Sequence, residues 1–179
     1  GSGYPKLVNS LGCIAHPKDF PKVKDKLFVT VLSASGLVAK QKASEALKGD
    51  FSASCDPYVK ISLHSWTPEE ANKMSKKTKT KENCINPYWD EEFMLELPKD
   101  GEGTMVHLEI LDDDIGTDEQ LAFVDIATAE IQGKLASVDE FEHEYSVSTK
   151  SKSKTIKLRL KWRMEIGIPF TPLPDSKRM

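Results

Sequence analysis

Asp56-Pro57-Tyr58-Val59-Lys60-Ile61-Ser62-Leu63 is the stretch on which the fold turns. From Tyr58 to Leu63 its side chains alternate, Val59, Ile61 and Leu63 on one register and Tyr58, Lys60 and Ser62 on the other. That period of two predicts a strand over residues 58–63, with a carboxylate just before its mouth. The same rhythm recurs in both directions. Upstream, Leu27, Val29 and Val31 alternate with Phe28, Thr30 and Leu32 and stop at Ser35-Gly36; residues 38–55, rich in Lys, Ser, Ala and Gly, read as a long loop. Downstream, Thr67-Pro68-Glu69-Glu70 has the form of a capping box with proline at the first helical position, predicting a turn or two of helix. Residues 75–81 alternate lysine with threonine and predict a strand with one strongly basic face. Asn86-Pro87 predicts a turn, followed by strands over 88–97, 105–111, 121–127, 141–147 and 155–162, and a short helix over 129–136. Eight short strands with Gly, Pro, Asn and Asp between them, and no βαβ rhythm, predict an all-β fold: an eight-stranded antiparallel β-sandwich.

The chain has 179 residues, enough for one domain with tails. Its hydrophobic share of 39% and charged share of 30% suit an ordinary soluble core. Residues 1–22 read as an extension broken by Pro5, Pro17 and Pro21 and opened by the expression scar Gly1-Ser2-Gly3; residues 23–165 form the domain, and 166–179 a Pro-rich tail. No apolar run approaches the eighteen or so residues of a spanning helix, so membrane contact is expected to be peripheral. Cys13, Cys55 and Cys84 are odd in number and lack C-x-x-C spacing, which argues against a disulfide framework and suits a reducing, cytoplasmic compartment.

The net charge of −3 conceals strong local charges of both signs. One loop holds Asp50 and Asp56, and another holds Asp112, Asp113, Asp114, Asp118 and Glu119. A hard cation such as calcium takes six to eight oxygens from loops that can wrap it, and strand-end loops of a sandwich supply such wrapping. Should both loops share an edge, five or more carboxylates would crowd one site and repel each other without a cation. Composition alone leaves solvated acidic loops equally open. An enzyme is not expected. His16, His64, His107 and His143 are scattered, no nucleophile elbow, phosphate loop or H-E-x-x-H appears, and Cys55 has no histidine near it in sequence.

Asp56-Pro57-Tyr58-Val59-Lys60 resembles the S-D-P-Y-V-K signature of C2 domains. Lys76-Lys77-Thr78-Lys79-Thr80 followed by Asn86-Pro87-Tyr88-Trp89-Asp90-Glu91-Glu92-Phe93 resembles their K-T-K-T…N-P-x-W-x-E-x-F element, and Leu111-Asp112-Asp113-Asp114 resembles their aspartate-rich third loop. Only one strand precedes the first acidic loop, and an extra strand over 155–162 follows the last. That order resembles the circularly permuted, type II topology of phospholipases and of Nedd4-type ubiquitin ligases, the Nedd4-type domain being the nearest likeness.

The resemblance implies a calcium-dependent phospholipid-binding module that recruits its parent protein to anionic membranes. Its metal ligands would be Asp50, Asp56, Asp112 and Asp114, with the main-chain carbonyl of Asp113. The fifth carboxylate falls on Asp118 or Glu119, with Asp118 preferred, in a loop one residue shorter than the family's and lacking its glycine. Tyr58, Lys60, Lys77 and Lys79 match the face that binds phosphoinositide headgroups in the family, and each lysine near an anionic leaflet is worth about 1 kcal/mol. Phe51 and Ile115, apolar residues at the tips of the acidic loops, are placed to dip into the headgroup region. The expected partners are phosphatidylserine and phosphoinositides, met by a monomer at the membrane when calcium rises. Nucleic acid is not expected, since the net charge is negative and no aromatics interleave the lysines. The alternative is the same fold used as a calcium-independent lipid- or protein-interaction module.

Overall fold

The computed structural model of the chain describes residues 7–8, 14–15, 23–37, 55–98, 104–149 and 155–167. Asp50 and Phe51 therefore lie outside the described residues, as do most of the segments read as extension, long loop and tail. The period-two stretch is strand β2 (Pro57–Leu63), its Val59, Ile61 and Leu63 buried and its Lys60 and Ser62 half-buried. The run before it is β1 (Lys26–Ser35). After β2 come α1 (Pro68–Met74), β3 (Lys76–Lys77), β4 (Tyr88–Glu96), β5 (Met105–Asp112), β6 (Glu119–Ala127), α2 (Thr128–Leu135), β7 (Glu140–Val147) and β8 (Ile156–Glu165). A separate two-residue ribbon pairs Leu7–Val8 with Ile14–Ala15.

The strands form two four-stranded antiparallel sheets, ordered β4-β1-β8-β7 and β3-β2-β5-β6. The sandwich is the one the alternation predicts, with β8 lying between the first and seventh strands as the permuted order requires. Its core comes from the inward registers of the central strands. Leu27, Val29 and Val31 of β1, Val59 and Ile61 of β2, Val106, Leu108 and Ile110 of β5, and Leu158, Leu160 and Trp162 of β8 are almost wholly withdrawn from water. Removing such surface contributes about 25 cal/mol per Å², which makes this layer the main source of stability. Two tryptophans extend the core without orphaning a donor. Trp162 donates its indole N–H to Tyr145 Oη at 3.0 Å, and Trp89 donates to the Lys79 carbonyl at 3.0 Å.

The predicted capping box is present. Thr67 Oγ1 accepts from the Glu70 N–H, and Glu70 Oε2 accepts in return from the Thr67 N–H at 2.7 Å. The basic stretch departs from expectation. Its ladder pairs Ile61 with Lys76 and Lys60 with Lys77, then ends. Thr78 turns inward instead, and its hydroxyl accepts the Val59 N–H at 2.9 Å while donating to the Lys79 carbonyl at 3.0 Å. A side-chain oxygen thus replaces the next backbone acceptor, so residues 75–81 are not one strand. The expected single face holding Lys77 and Lys79 gives way to a two-residue strand followed by an irregular arm.

Where β1 ends, the chain turns through Gly36 at φ +78°, and a Cβ there would lie 2.8 Å from the Thr155 carbonyl oxygen. Both the conformation and the contact exclude a side chain. Gly36→Ala is expected to lower stability by about 1–2 kcal/mol in urea unfolding. An unchanged midpoint would contradict the strain assigned to this turn.

Candidate metal centre

Antiparallel pairing of β2 with β5 sets Pro57 opposite Asp112, so the mouth of one strand meets the end of the other. Asp112 follows the inward register of Val106, Leu108 and Ile110, which leaves a carboxylate only 7% exposed at the rim of the core. Burying a charge there is costly unless it is paired. Asp112 Oδ1 accepts the Asp56 N–H at 2.8 Å, and the Asp113 N–H donates to the Asp56 carbonyl at 2.9 Å. The two acidic segments, 56 residues apart in the chain, are thereby locked to one rim.

A third segment joins them. Asn83, in the left-handed region at φ 49°, turns its N–H onto Asp56 Oδ1 at 2.8 Å. The Cys84 N–H donates to the Cys55 carbonyl at 2.8 Å, and Thr80 Oγ1 donates to Asp113 Oδ2 at 2.9 Å. The loop after β5 then reverses through Gly116, at φ 108°. Asp118 closes it, Oδ1 accepting the Asp114 N–H at 3.2 Å and Oδ2 accepting the Tyr58 hydroxyl. Asp114 Oδ1 is shielded from solvent inside this loop. Ile115, at the tip, is fully exposed.

The structure thus brings Asp56, Asp112, Asp113, Asp114 and Asp118 to one edge. Its hydrogen bonds give Asp118 a closing role, with both oxygens engaged, and they tie Tyr58, expected at the lipid face, to that same loop. Burial first, and then the Asp118 carboxylate, pushes the Tyr58 phenol well above its ordinary pKa. The rim's negative charge also registers on Cys55. Burial, followed by the charges of Asp112 and Asp56, pushes its thiol up to about 12. A thiol held protonated in this way is a poor nucleophile.

The donor set is all oxygen, contributed by carboxylates on loops, which fits a hard cation. Among the described residues, no three rim carboxylates have their oxygens within 4.8 Å of one another; the grouping that meets this limit lies elsewhere, at His64, His107 and Asp125. Oxygens that share one hard cation sit within about 5 Å of each other, so the rim carboxylates would have to draw together to hold one. Lys60 and Lys77 are direct cross-strand partners, with Lys77 exposed. Lys60 also faces Glu109 on β5, which partly offsets the positive charge and which the sequence pattern did not flag.

The C2 domain family model matches residues 25–147 of the chain. This chain belongs to the C2 domain family. A calcium-dependent lipid-binding protein of Arabidopsis thaliana is 31% identical over 111 residues, covering 62% of this chain and 18% of that protein. Synaptotagmin-5 of Rattus norvegicus is 34% identical over 121 residues, covering 66% of this chain and 28% of that protein. The chain accordingly spans less than a third of the length of these curated relatives. In three dimensions the C2 domain is similar to the calcium-bound pair of C2 domains from extended-synaptotagmin 2, with a TM-score of 0.62 at 19% identity, over 81% of this chain and 47% of that one. That likeness concerns the fold. The family match ends before β8, which lies between β1 and β7 in its sheet.

Proposed function

We propose that this C2 domain is a calcium-dependent phospholipid-binding module, in which Asp56, Asp112 and Asp114, with Asp50 from outside the described residues, hold calcium at the rim. The observation that carries the proposal is the interlock of Asp56 with Asp112 and Asp113 beside the exposed tip residue Ile115. Its support from outside the chain is a relative whose name is calcium-dependent lipid-binding protein and a structural neighbour described as calcium bound. Without calcium the acidic rim repels anionic lipid. Bound calcium reverses the local charge and accepts lipid phosphate oxygens as further ligands. Lipid and calcium then raise each other's affinity by the same factor. Ile115, and Phe51 from the other acidic loop, would enter the headgroup region. The chain would act as a monomer, peripheral at the cytoplasmic leaflet, carrying its parent protein there. Among the described residues no helix is long and apolar enough to cross a membrane.

Co-sedimentation with phosphatidylserine vesicles tests this. Binding in calcium that is lost in chelator is the expected result, and undiminished binding in chelator refutes it. The rival, a calcium-independent module, draws on Asp118, whose oxygens are taken by Tyr58 and Asp114 in a shortened loop. It predicts that chelator-insensitive outcome. Lys60 and Lys77 would supply electrostatic attraction at about 1 kcal/mol each, so Lys60→Ala with Lys77→Ala should weaken vesicle binding by about 2 kcal/mol. The loss should shrink with added salt. Equal affinity for vesicles containing phosphoinositide would remove this pair from the lipid face.

A further inference from the structure

On the outward face of the sheet β3-β2-β5-β6, three side chains converge that neither the rim nor the lysines use. The β5–β6 register sets His107 directly opposite Asp125, and the β2–β5 register sets Ser62 opposite His107. The chain follows β5 one step beyond β2, because the His64 N–H donates to the Met105 carbonyl at 3.0 Å. His64 therefore continues the outward register of Ser62. His64 Nε2 and His107 Nδ1 each lie 2.6 Å from Asp125 Oδ1. The two rings meet edge to face, centroids 5.0 Å apart, and the three candidate ligand atoms all lie within 4.8 Å of one another.

Two imidazole nitrogens and a carboxylate oxygen match what borderline metals take, whereas calcium selects oxygen alone. Zinc binds such atoms at about 2.0–2.2 Å in tetrahedral geometry, which separates neighbouring ligands by roughly 3.3 Å. Each 2.6 Å contact would have to open by roughly 0.7 Å, a small adjustment for side chains that all stand partly in solvent. His107 Nε2 lies 3.6 Å from Glu109 Oε1, beyond hydrogen-bond distance, and that oxygen is held by Gln120 Nε2 at 2.7 Å. His107 stands five residues from Asp112 along β5, roughly 17 Å away, so this cluster is separate from the rim.

We propose that His64, His107 and Asp125 form a zinc-class divalent metal site on the outer sheet face, with water completing a four-coordinate shell. Calorimetric titration of the full chain with zinc, in calcium sufficient to saturate the rim, is expected to show one equivalent bound. His64→Ala and Asp125→Asn should each weaken that binding by at least about a hundredfold. Cobalt(II) in place of zinc should give visible d–d bands without a thiolate charge-transfer band, which separates this site from the cysteines. His64 is half exposed, so its loss leaves the fold intact, and far-UV circular dichroism checks this. The proposal is overturned if the wild-type chain takes up no equivalent, if His64→Ala binds zinc as tightly as wild type, or if cobalt reports a thiolate.

Discussion

Asp112→Asn combined with Asp114→Asn is expected to abolish calcium-triggered sedimentation with phosphatidylserine vesicles. Asparagine matches aspartate in shape, and its carbonyl oxygen can still accept the Asp56 N–H that Asp112 Oδ1 accepts at 2.8 Å. The rim's hydrogen bonding therefore survives while two negative charges leave. Calcium affinity is set largely by the number of charged ligands and the rigidity of the site. A loss of about a hundredfold corresponds to about 2.7 kcal/mol, and two charges placed against a divalent ion exceed that readily. The metal-free variant should be no less stable than wild type, because like charges at one edge repel. Vesicle binding that still responds to calcium at wild-type concentrations would contradict the assignment of these two carboxylates.

Trp162→Ala is expected to have the largest effect on stability, a loss of about 3–5 kcal/mol in urea unfolding. Trp162 is fully buried on β8, the strand that joins β1 to β7. Its removal opens a cavity at the centre of one sheet and takes away the donor that meets Tyr145 Oη at 3.0 Å. Domains of this size are stable by roughly 5–15 kcal/mol, so the variant should sit close to unfolding. Trp162→Phe keeps much of the volume and loses the hydrogen bond, and should fall between the two. A loss below about 1 kcal/mol for the alanine variant would show that β8 is not the keystone of its sheet.

Much of this was legible because alternation and capping are local. Val59, Ile61 and Leu63 announce a buried register within one strand, and Thr67 with Glu70 announces a helix start within four residues. The acidic rim was legible in part, since Asp56 and Asp112 each stand at a strand end. Their meeting depends on β2 pairing with β5, which no local pattern states. Thr78 was misleading because Lys-Thr alternation looks the same whether the threonine continues a ladder or turns inward to replace a rung. Asp118 was identified as a ligand candidate, but its two hydrogen bonds, to Tyr58 and Asp114, follow from how tightly the shortened loop closes. His64, His107 and Asp125 gave no signal at all. Asp125 lies 61 residues from one histidine and 18 from the other, and only the register of three adjacent strands places them together.

The most direct test of the account is a calcium titration of the labelled chain followed by amide nuclear magnetic resonance. Saturable shifts should appear together, with a single affinity, at Asp56 and across residues 112–118, and should leave His64, His107 and Asp125 unmoved. Shifts confined to one of the two acidic segments, or none at millimolar calcium, would contradict it.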